Sequence, residues 1–318
     1  RQAIARFADV GFPTTRDEEW KFTSIAPIVE TPFRLARDGE HRLDPAVIAQ
    51  FALDDVAGVQ LVCLNGRFAP HLSTLGALPK GSQADGLARA LANDPGTVQP
   101  YLAQLAGPNG AFTALNTAFV RDGFFLSIPP NVVVERPIRL LFLSTAPGEA
   151  TVSHPRVLIV AGENSQVRLI ESYGGPDGHL YLTNAVTEIV AGPHAVVDHY
   201  KLQRESLQGF HIGSMHIHGQ RSSTFSSHSL ALGGALVRNE ATTVLDGEGV
   251  DCTLNGLYVV SGQRLVDNHT TIDHAMPHCD SHEVYKGILG GQSRAGFNGK
   301  IIVRPDAQKV SAVQTNKN

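Results

Sequence analysis

The feature that most constrains this 318-residue chain is a turn that returns at nearly fixed intervals. From Gly123 onward, short apolar runs alternate with small polar turns. The turns are Ala161-Gly162-Glu163-Asn164, Ala191-Gly192-Pro193-His194, His218-Gly219-Gln220-Arg221, Asp246-Gly247-Glu248-Gly249, His274-Ala275-Met276-Pro277 and Arg304-Pro305-Asp306-Ala307. Counted at the second residue of each, the intervals are 30, 27, 28, 28 and 30 residues. A period of about 20–50 residues is the signature of a repeat architecture. The runs between turns are strand-like, such as VLIV at 157–160, TNAVTEIV at 183–190 and GKIIV at 299–303. Each is too short to bury its own apolar face, and stacking successive coils buries them together. Gly174-Gly175, Gly233-Gly234 and Gly290-Gly291 mark a second set of corners. An antiparallel sandwich is the competing architecture, but it calls for a regular series of tight hairpins. Asn255-Gly256 and Asn298-Gly299 stand without one. The expectation is a mainly β chain with a parallel β-helix over 124–318. Leu257 and Ile301 are expected to point into the coil, where a buried unpaired charge would unfold the chain.

Residues 1–123 read as a separate, mostly helical region with one short β-hairpin. Ile4, Phe7 and Ala8 have helical spacing over 1–10, and Gly11 follows as a cap. Trp20 and Phe22, set among charges, read as a buried aromatic pair. Residues 45–53 read as a short helix. Residues 59–64 read as a strand that turns at Asn65-Gly66. Residues 80–123 read as helices broken at Asp94-Pro95-Gly96 and Gly107-Pro108-Asn109-Gly110. The boundary is placed near Asp122-Gly123, where the helical period stops.

Composition narrows the function. A net charge of −4 without clustered Lys and Arg gives no nucleic-acid surface. The longest apolar runs fall far short of the ~18 residues that a membrane helix needs. Cys63, Cys252 and Cys279 are too few, and odd in number, for a disulfide framework. They fit a reducing cytoplasm.

The search for chemistry finds one dense patch, HTTIDHAMPHCDSHEVYKG at 269–287. Within it His274, His278, Cys279 and His282 are metal ligands by type. Their spacing matches neither C-x-x-C nor H-E-x-x-H. His216 and His218 share a strand face, but residues 219–227 hold no carboxylate to complete a cupin-type site. His211 and His228 have no better support. Gly299-Lys300 is not a phosphate loop, because Arg294 stands where the first glycine belongs and Ile301 follows the lysine. No G-x-S-x-G elbow is present. The runs Asp17 to Glu19 and Asp54-Asp55 read as solvated charge. Asp246, Asp251, Asp267 and Asp273 could serve a β-helix enzyme that cuts polysaccharide, but no recurring register puts them on one face. No catalytic residue is assigned. A carbohydrate-active enzyme and a metal-binding protein using the His274 to His282 patch both stay open.

The residues also carry a resemblance. LNGLY (254–258), VDNHTTIDHAMPHC (266–279), YKG (285–287), FNGKIIVRPDAQ (297–308) and QTNKN (314–318) stand in this order. PTTRDEEWKFTSI (13–25), LNTAFVRDG (115–123) and VRNEATTVLDGEG (237–249) precede them. Together they resemble the SufB/SufD family of iron–sulfur cluster assembly scaffolds, its SufD branch more than its SufB branch. The resemblance implies a right-handed parallel β-helix flanked by helical segments. It implies a cytoplasmic, non-catalytic scaffold that pairs with SufB and the ATPase SufC, or with itself. Clusters would be held transiently at the SufB interface, with no other cofactor. In the family the chain continues past QTNKN into further β-helix, a Cys/His motif and the helical segment that docks SufC. This sequence stops at Asn318. No family site residue is therefore carried over, and SufC docking is expected through that further segment.

Overall fold

The structure, a computed structural model, describes residues 2–36, 43, 45–51, 53, 58–107 and 109–317. The N-terminal part holds helices α1 (Gln2–Val10), α2 (Ala26–Glu30), α3 (Pro45–Ala49), α4 (Leu87–Asn93), α5 (Pro95–Val98) and α6 (Ala111–Phe119). It also holds strands β1 (Arg34–Leu35), β2 (Gln60–Leu64), β3 (Arg67–Phe68) and β4 (Gln83–Gly86). The rest is a parallel β-solenoid of about 7 turns. One sheet is built on β5 (Gly123–Ile128), β8 (Arg156–Ala161), β10 (Tyr181–Ala191), β12 (Phe210–Gly219), β14 (Leu236–Leu245), β16 (Leu265–His274) and β18 (Arg294–Val303). The other is built on β6 (Ile138–Leu143), β9 (Gln166–Gly174), β11 (Val196–Arg204), β13 (Thr224–Ala231), β15 (Asp251–Val260), β17 (Asp280–Leu289) and β19 (Ser311–Lys317). Strand β7 (Thr151–Ser153) joins β1 to β10 at the edge of the first sheet.

The periodic turn has a backbone cause. Asn131, Asn164, His194, Ser222, Gly249 and His278 occupy successive corners, with φ of 62, 55, 57, 53, 74 and 60°. In this left-handed conformation the amide of each corner reaches along the stack. Asn164 N–H donates to Pro193 O, His194 to Arg221 O, Ser222 to Glu248 O and His278 to Gln308 O, at 2.9, 2.9, 2.9 and 3.1 Å. A fixed number of residues must return the chain to this corner, which sets the spacing seen in the sequence.

Strand alternation then sorts the side chains. In the first sheet Leu126, Ile159, Ile189, Ile217, Thr243, Ile272 and Ile301 stand in one inward register. In the second, Val167, Val197, Phe225, Cys252, Ser281 and Ala312 form the corresponding column. Each large apolar member stabilises the coil by about 1.5–3 kcal/mol when fully buried. Leu257 corrects the expectation. Cys252, Leu254, Tyr258 and Val260 carry the inward frame of β15, so Leu257 faces outward and is 37% exposed. Asn255-Gly256 runs straight through this strand.

The N-terminal part covers the outer face of the first sheet. Ile25, Ile28 and Phe112 pack on Leu182, Phe210, Ile212 and Leu236, while Leu87, Ala90 and Val98 pack on Phe125 and Leu158. A buried ion pair pins the same seam. Arg156 lies 2.7 Å from Glu188, whose carboxylate accepts from the amides of Ala103, Leu105 and Ala106. The region is not only helical. Hairpin β2–β3 turns at Asn65-Gly66 and β2 extends the second sheet in parallel with β6, while β4 pairs antiparallel with β5. Asp94 breaks the helical run by capping α5 through Thr97 N–H. The aromatic pair divides: Trp20 packs 5.6 Å from Phe112, but Phe22 is 80% exposed. In solvent, Lys21 Nζ stands 5.6 Å from the centre of its ring. Asp54, Asp55 and Pro108 lie outside the described residues. Among the described residues no helix is long and apolar enough to cross a membrane.

Candidate functional site

The alternation that buries Ile189 and Val197 also sends ionisable side chains into the middle coils. In β9 it places Glu171 and Tyr173 inward, in β11 His199, Lys201 and Gln203, and in β12 His211. Tyr173 Oη donates to Glu171 Oε1. Thr187 Oγ1 donates to the same carboxylate at 3.2 Å. His199 Nε2 lies 3.2 Å from Glu171 Oε2, and its Nδ1 lies 3.0 Å from Ser227 Oγ. Burial pushes the Glu171 carboxyl up, but His199, Lys201 and Tyr173 outweigh it and hold it down at about 2.

A second set of contacts continues from this one. Lys201 Nζ lies 3.0 Å from His211 Nε2, donates to Asn239 Oδ1 at 2.7 Å, and sits 5.2 Å from the centre of the Tyr173 ring. His211 Nδ1 is 2.9 Å from Glu205 Oε2, which also accepts from Gln203 Nε2 at 2.8 Å. Burial lowers the pKa of Lys201, against the pull of Glu171 and Glu205. Burial lowers His211 as well. Gly213 makes room for this contact: a Cβ there would come within 2.5 Å of Lys201 Nζ and 2.7 Å of His211 Nε2. Two carboxylates, an ammonium, two imidazoles and a phenol thus form one connected set inside the coil. Such a set can hold charge out of water and pass protons between neighbours.

A third cluster lies on the outside of the first sheet. Arg238 is buried and donates through Nη1 to Asp267 and through Nε and Nη2 to Glu240. Its guanidinium stands 3.8 Å from the centre of the Trp20 ring. Thr23 Oγ1 donates to Asp267, His269 Nδ1 lies 3.3 Å from Glu19, and Lys300 donates to Glu19 at 3.3 Å. Four separate motif segments, 13–25, 237–249, 266–279 and 297–308, therefore meet in one place. Arg238 and Asp267 are direct partners across β14 and β16, so the cluster is a latch that holds the N-terminal segment to the coil.

The sequence-derived metal candidates do not converge. His274 points inward, with Nε2 3.0 Å from Ser281 Oγ, and Cys279 is buried with its thiol on Gly247 O at 3.2 Å. His278 sits at a left-handed corner, exposed, 3.8 Å from Glu248. His282 faces outward. Among the described residues no three His, Cys, Asp or Glu side chains are grouped to hold a metal ion. His216 and His218 share the outer face of β12, and His218 lies 2.8 Å from Asp246. His228 stacks on Tyr200. Of the four aspartates, Asp267 belongs to the latch, Asp273 pairs with Arg304 at 2.7 Å, and Asp246 pairs with His218. Asp251 stands apart on the second sheet. Sequence reasoning passed over Glu171, His199, Lys201 and His211 as a group. The available signal was a polar residue at the inward step of an alternating strand, as in VRLIESY.

Comparison with known proteins matches both parts of the chain. Residues 142–318 match the family described as SUF system FeS cluster assembly, SufBD core domain. Residues 1–140 match the SufBD protein N-terminal region. The chain belongs to the SufBD family. It is 32% identical over 314 residues to the iron–sulfur cluster assembly SufBD family protein slr0076 of Synechocystis, covering 96% of this chain and 69% of that protein. It is 24% identical over 324 residues to the iron–sulfur cluster assembly protein SufD of Escherichia coli, covering 100% and 72%. It is 25% identical over 321 residues to the chloroplastic protein ABCI7 of Arabidopsis thaliana, covering 96% and 65%. Each relative is thus longer than the part this SufBD family chain aligns with.

Proposed function

We propose that this chain is a non-catalytic scaffold subunit of SufD type in iron–sulfur cluster assembly. It works in the cytoplasm, pairs with a SufB-type subunit, and serves an assembly driven by a SufC-type ATPase. The cluster is its cargo and not a resident cofactor. Division at residue 123 gives an N-terminal lobe that braces a core, 124–318, on which assembly takes place.

One observation carries this reading: both halves match the SufBD family, and a relative named SufD aligns over 100% of this chain. The latch supports it, because the residues that join the two halves come from the same motif segments. The carbohydrate-active reading has no comparable support, since Asp246, Asp251, Asp267 and Asp273 serve separate pairs or stand apart.

The test is light scattering on a sizing column with the complete gene product, alone and mixed with SufB-type and SufC-type proteins of the same source. A stable complex of all three is expected. A protein that ignores both partners and stays monomeric overturns the proposal.

A further inference from the structure

The interior changes character between the coil β14–β15 and the coil β16–β17. The column of Ile159, Ile189 and Ile217 is interrupted by Thr243 before Ile272 resumes it. The neighbouring column reads Met215, Ala241, Thr270 and Gly299. From the opposite sheet Leu254 is followed by Glu283. Smaller or polar side chains thus replace apolar ones at these positions of two successive coils. Thr243 Oγ1, Asn268 Nδ2, Thr270 Oγ1 and both carboxyl oxygens of Glu283 are buried there with no protein partner in ordinary hydrogen-bond geometry, although the Cys252 thiol stands beside Thr243 and the Thr270 hydroxyl beside Glu283. Glu283, Thr243, Asn268 and Thr270 are each no more than 3% exposed. Folded proteins pair nearly all such atoms, with protein or with ordered water.

The direction of the hydrogen bonds says what fits. Lys201 has only N–H to give, so Asn239 must turn its Oδ1 toward it, at 2.7 Å. That leaves Asn239 Nδ2 to donate to Asn268 Oδ1, at 3.2 Å. Asn268 Nδ2 is then a donor, and no protein group receives it. The chain of amides fixes both side-chain orientations, which would otherwise be ambiguous. The other unpartnered groups are two threonine hydroxyls, which donate or accept, and a carboxyl. A cation does not suit a site with an amide donor aimed into it. Water, which makes two to four hydrogen bonds with donors and acceptors alike, does.

We propose that the interior bounded by Thr243, Asn268, Thr270 and Glu283 is a buried hydration site. Ordered water molecules accept from Asn268, bridge the two threonine hydroxyls and bind Glu283. They extend the directed chain Lys201–Asn239–Asn268 to a second ionisable group. The charged set of the middle coils and the carboxyl of the later coil are in this way one hydrogen-bonded system.

A crystal structure of the full chain, at a resolution that shows waters, tests this first. Water density within hydrogen-bond distance of Asn268 Nδ2 and a Glu283 oxygen is expected, and xenon under pressure is expected to stay out. Xenon in the site, or Asn268 and Glu283 turned onto protein partners with no water between, overturns it. Thr270→Val gives an independent readout in the same protein, because it replaces a hydroxyl by a methyl at constant shape. In a hydrated site the substitution removes a water anchor and lowers Tm by about 1–3 °C. In a dry site it removes an unpaired hydroxyl, and a raised Tm overturns the proposal.

Discussion

Glu171 and Glu283 both project from the second sheet into the coil, and both are almost fully buried. Their carboxyls are held in opposite states. Glu171 is held down at about 2. Glu283 is pushed up to about 7 by burial, only partly offset by a Thr270 hydroxyl that stands outside ordinary hydrogen-bond geometry. Burial is common to the two, so it does not explain the difference. Partners do: Tyr173, Thr187, His199 and Lys201 surround the first, and no protein group completes the second. The middle coils are therefore a finished polar core, and the later coils are one that depends on water.

The largest expected effect breaks the finished side. Glu171→Leu leaves Tyr173 Oη, Thr187 Oγ1 and His199 Nε2 without their common acceptor and Lys201 without one counter-charge. Removing one partner of a buried charged set costs about 3–5 kcal/mol. Glu283→Leu removes a carboxyl that burial holds at about 7, half ionised at pH 7 and without a hydrogen-bonded partner, and should leave the fold as stable as before or more stable. Urea unfolding of both variants decides. Equal losses would mean that the two carboxyls are not in different environments.

The next effect is the pH dependence, and the two groups act with opposite sign. Glu171 has a depressed pKa, so its contribution is present above about pH 4.5 and is lost as pH falls toward 2. Glu283 has a raised pKa, so the folded state is favoured below about pH 4.5 and loses that advantage as pH rises through 7. Each spans on the order of 3 kcal/mol over its window. His154 adds to the acid side: burial holds it near 4, so folding weakens as pH falls from 6.5 to 4. Urea midpoints across pH should show Glu283→Gln flattening the loss between pH 5 and 8, and Glu171→Gln flattening the loss below pH 4.5. A Glu283→Gln variant that keeps the wild-type loss would sink the assignment of that slope.

Sequence reading reached the solenoid because the corner repeats. A left-handed backbone position recurring once per coil leaves a periodic mark of Asn, His, Ser and Gly that needs no partner to be seen. The interior network left no such mark. Glu171, His199, Lys201 and His211 sit on three strands, and only the register between coils brings them together. The histidine patch was visible for the opposite reason. His274, His278, Cys279 and His282 are close in sequence, but a corner lies among them and alternation sends two inward and two outward. The latch was half legible: its motif segments stood out one by one, while their meeting at Arg238 depended on the fold. Phe22 and Leu257 failed for a common cause, since an apolar residue in a good pattern is not thereby an inward one.

A smaller effect sharpens the view of the middle coils. Gly213 lies in the inward column between Ala185 and Asn239. Gly213→Ala puts a methyl where Lys201 Nζ and His211 Nε2 meet, and one of the two must move. The overpacking cost is about 1–3 kcal/mol, and the His211 pKa should move with it, readable by NMR titration of the imidazole. An unchanged titration would mean that Lys201 reaches His211 by another path.

The smallest effect checks the frame on which the whole comparison rests. Leu257 lies between Leu230 and Lys286 on the outer face of the second sheet, so Leu257→Asp places its charge in water. Substitutions at such positions stay within about 0.5 kcal/mol. Ile301, next to Ile272 in the inward column, is half-buried, and Ile301→Asp should cost clearly more. Thermal melts of the two variants separate the frames. Because a shift of one residue exchanges the two faces of a strand, a severe loss at Leu257 would turn Glu283 outward along with the rest of the second sheet. The distinction between a finished and a water-dependent interior stands only if the mild substitution proves mild.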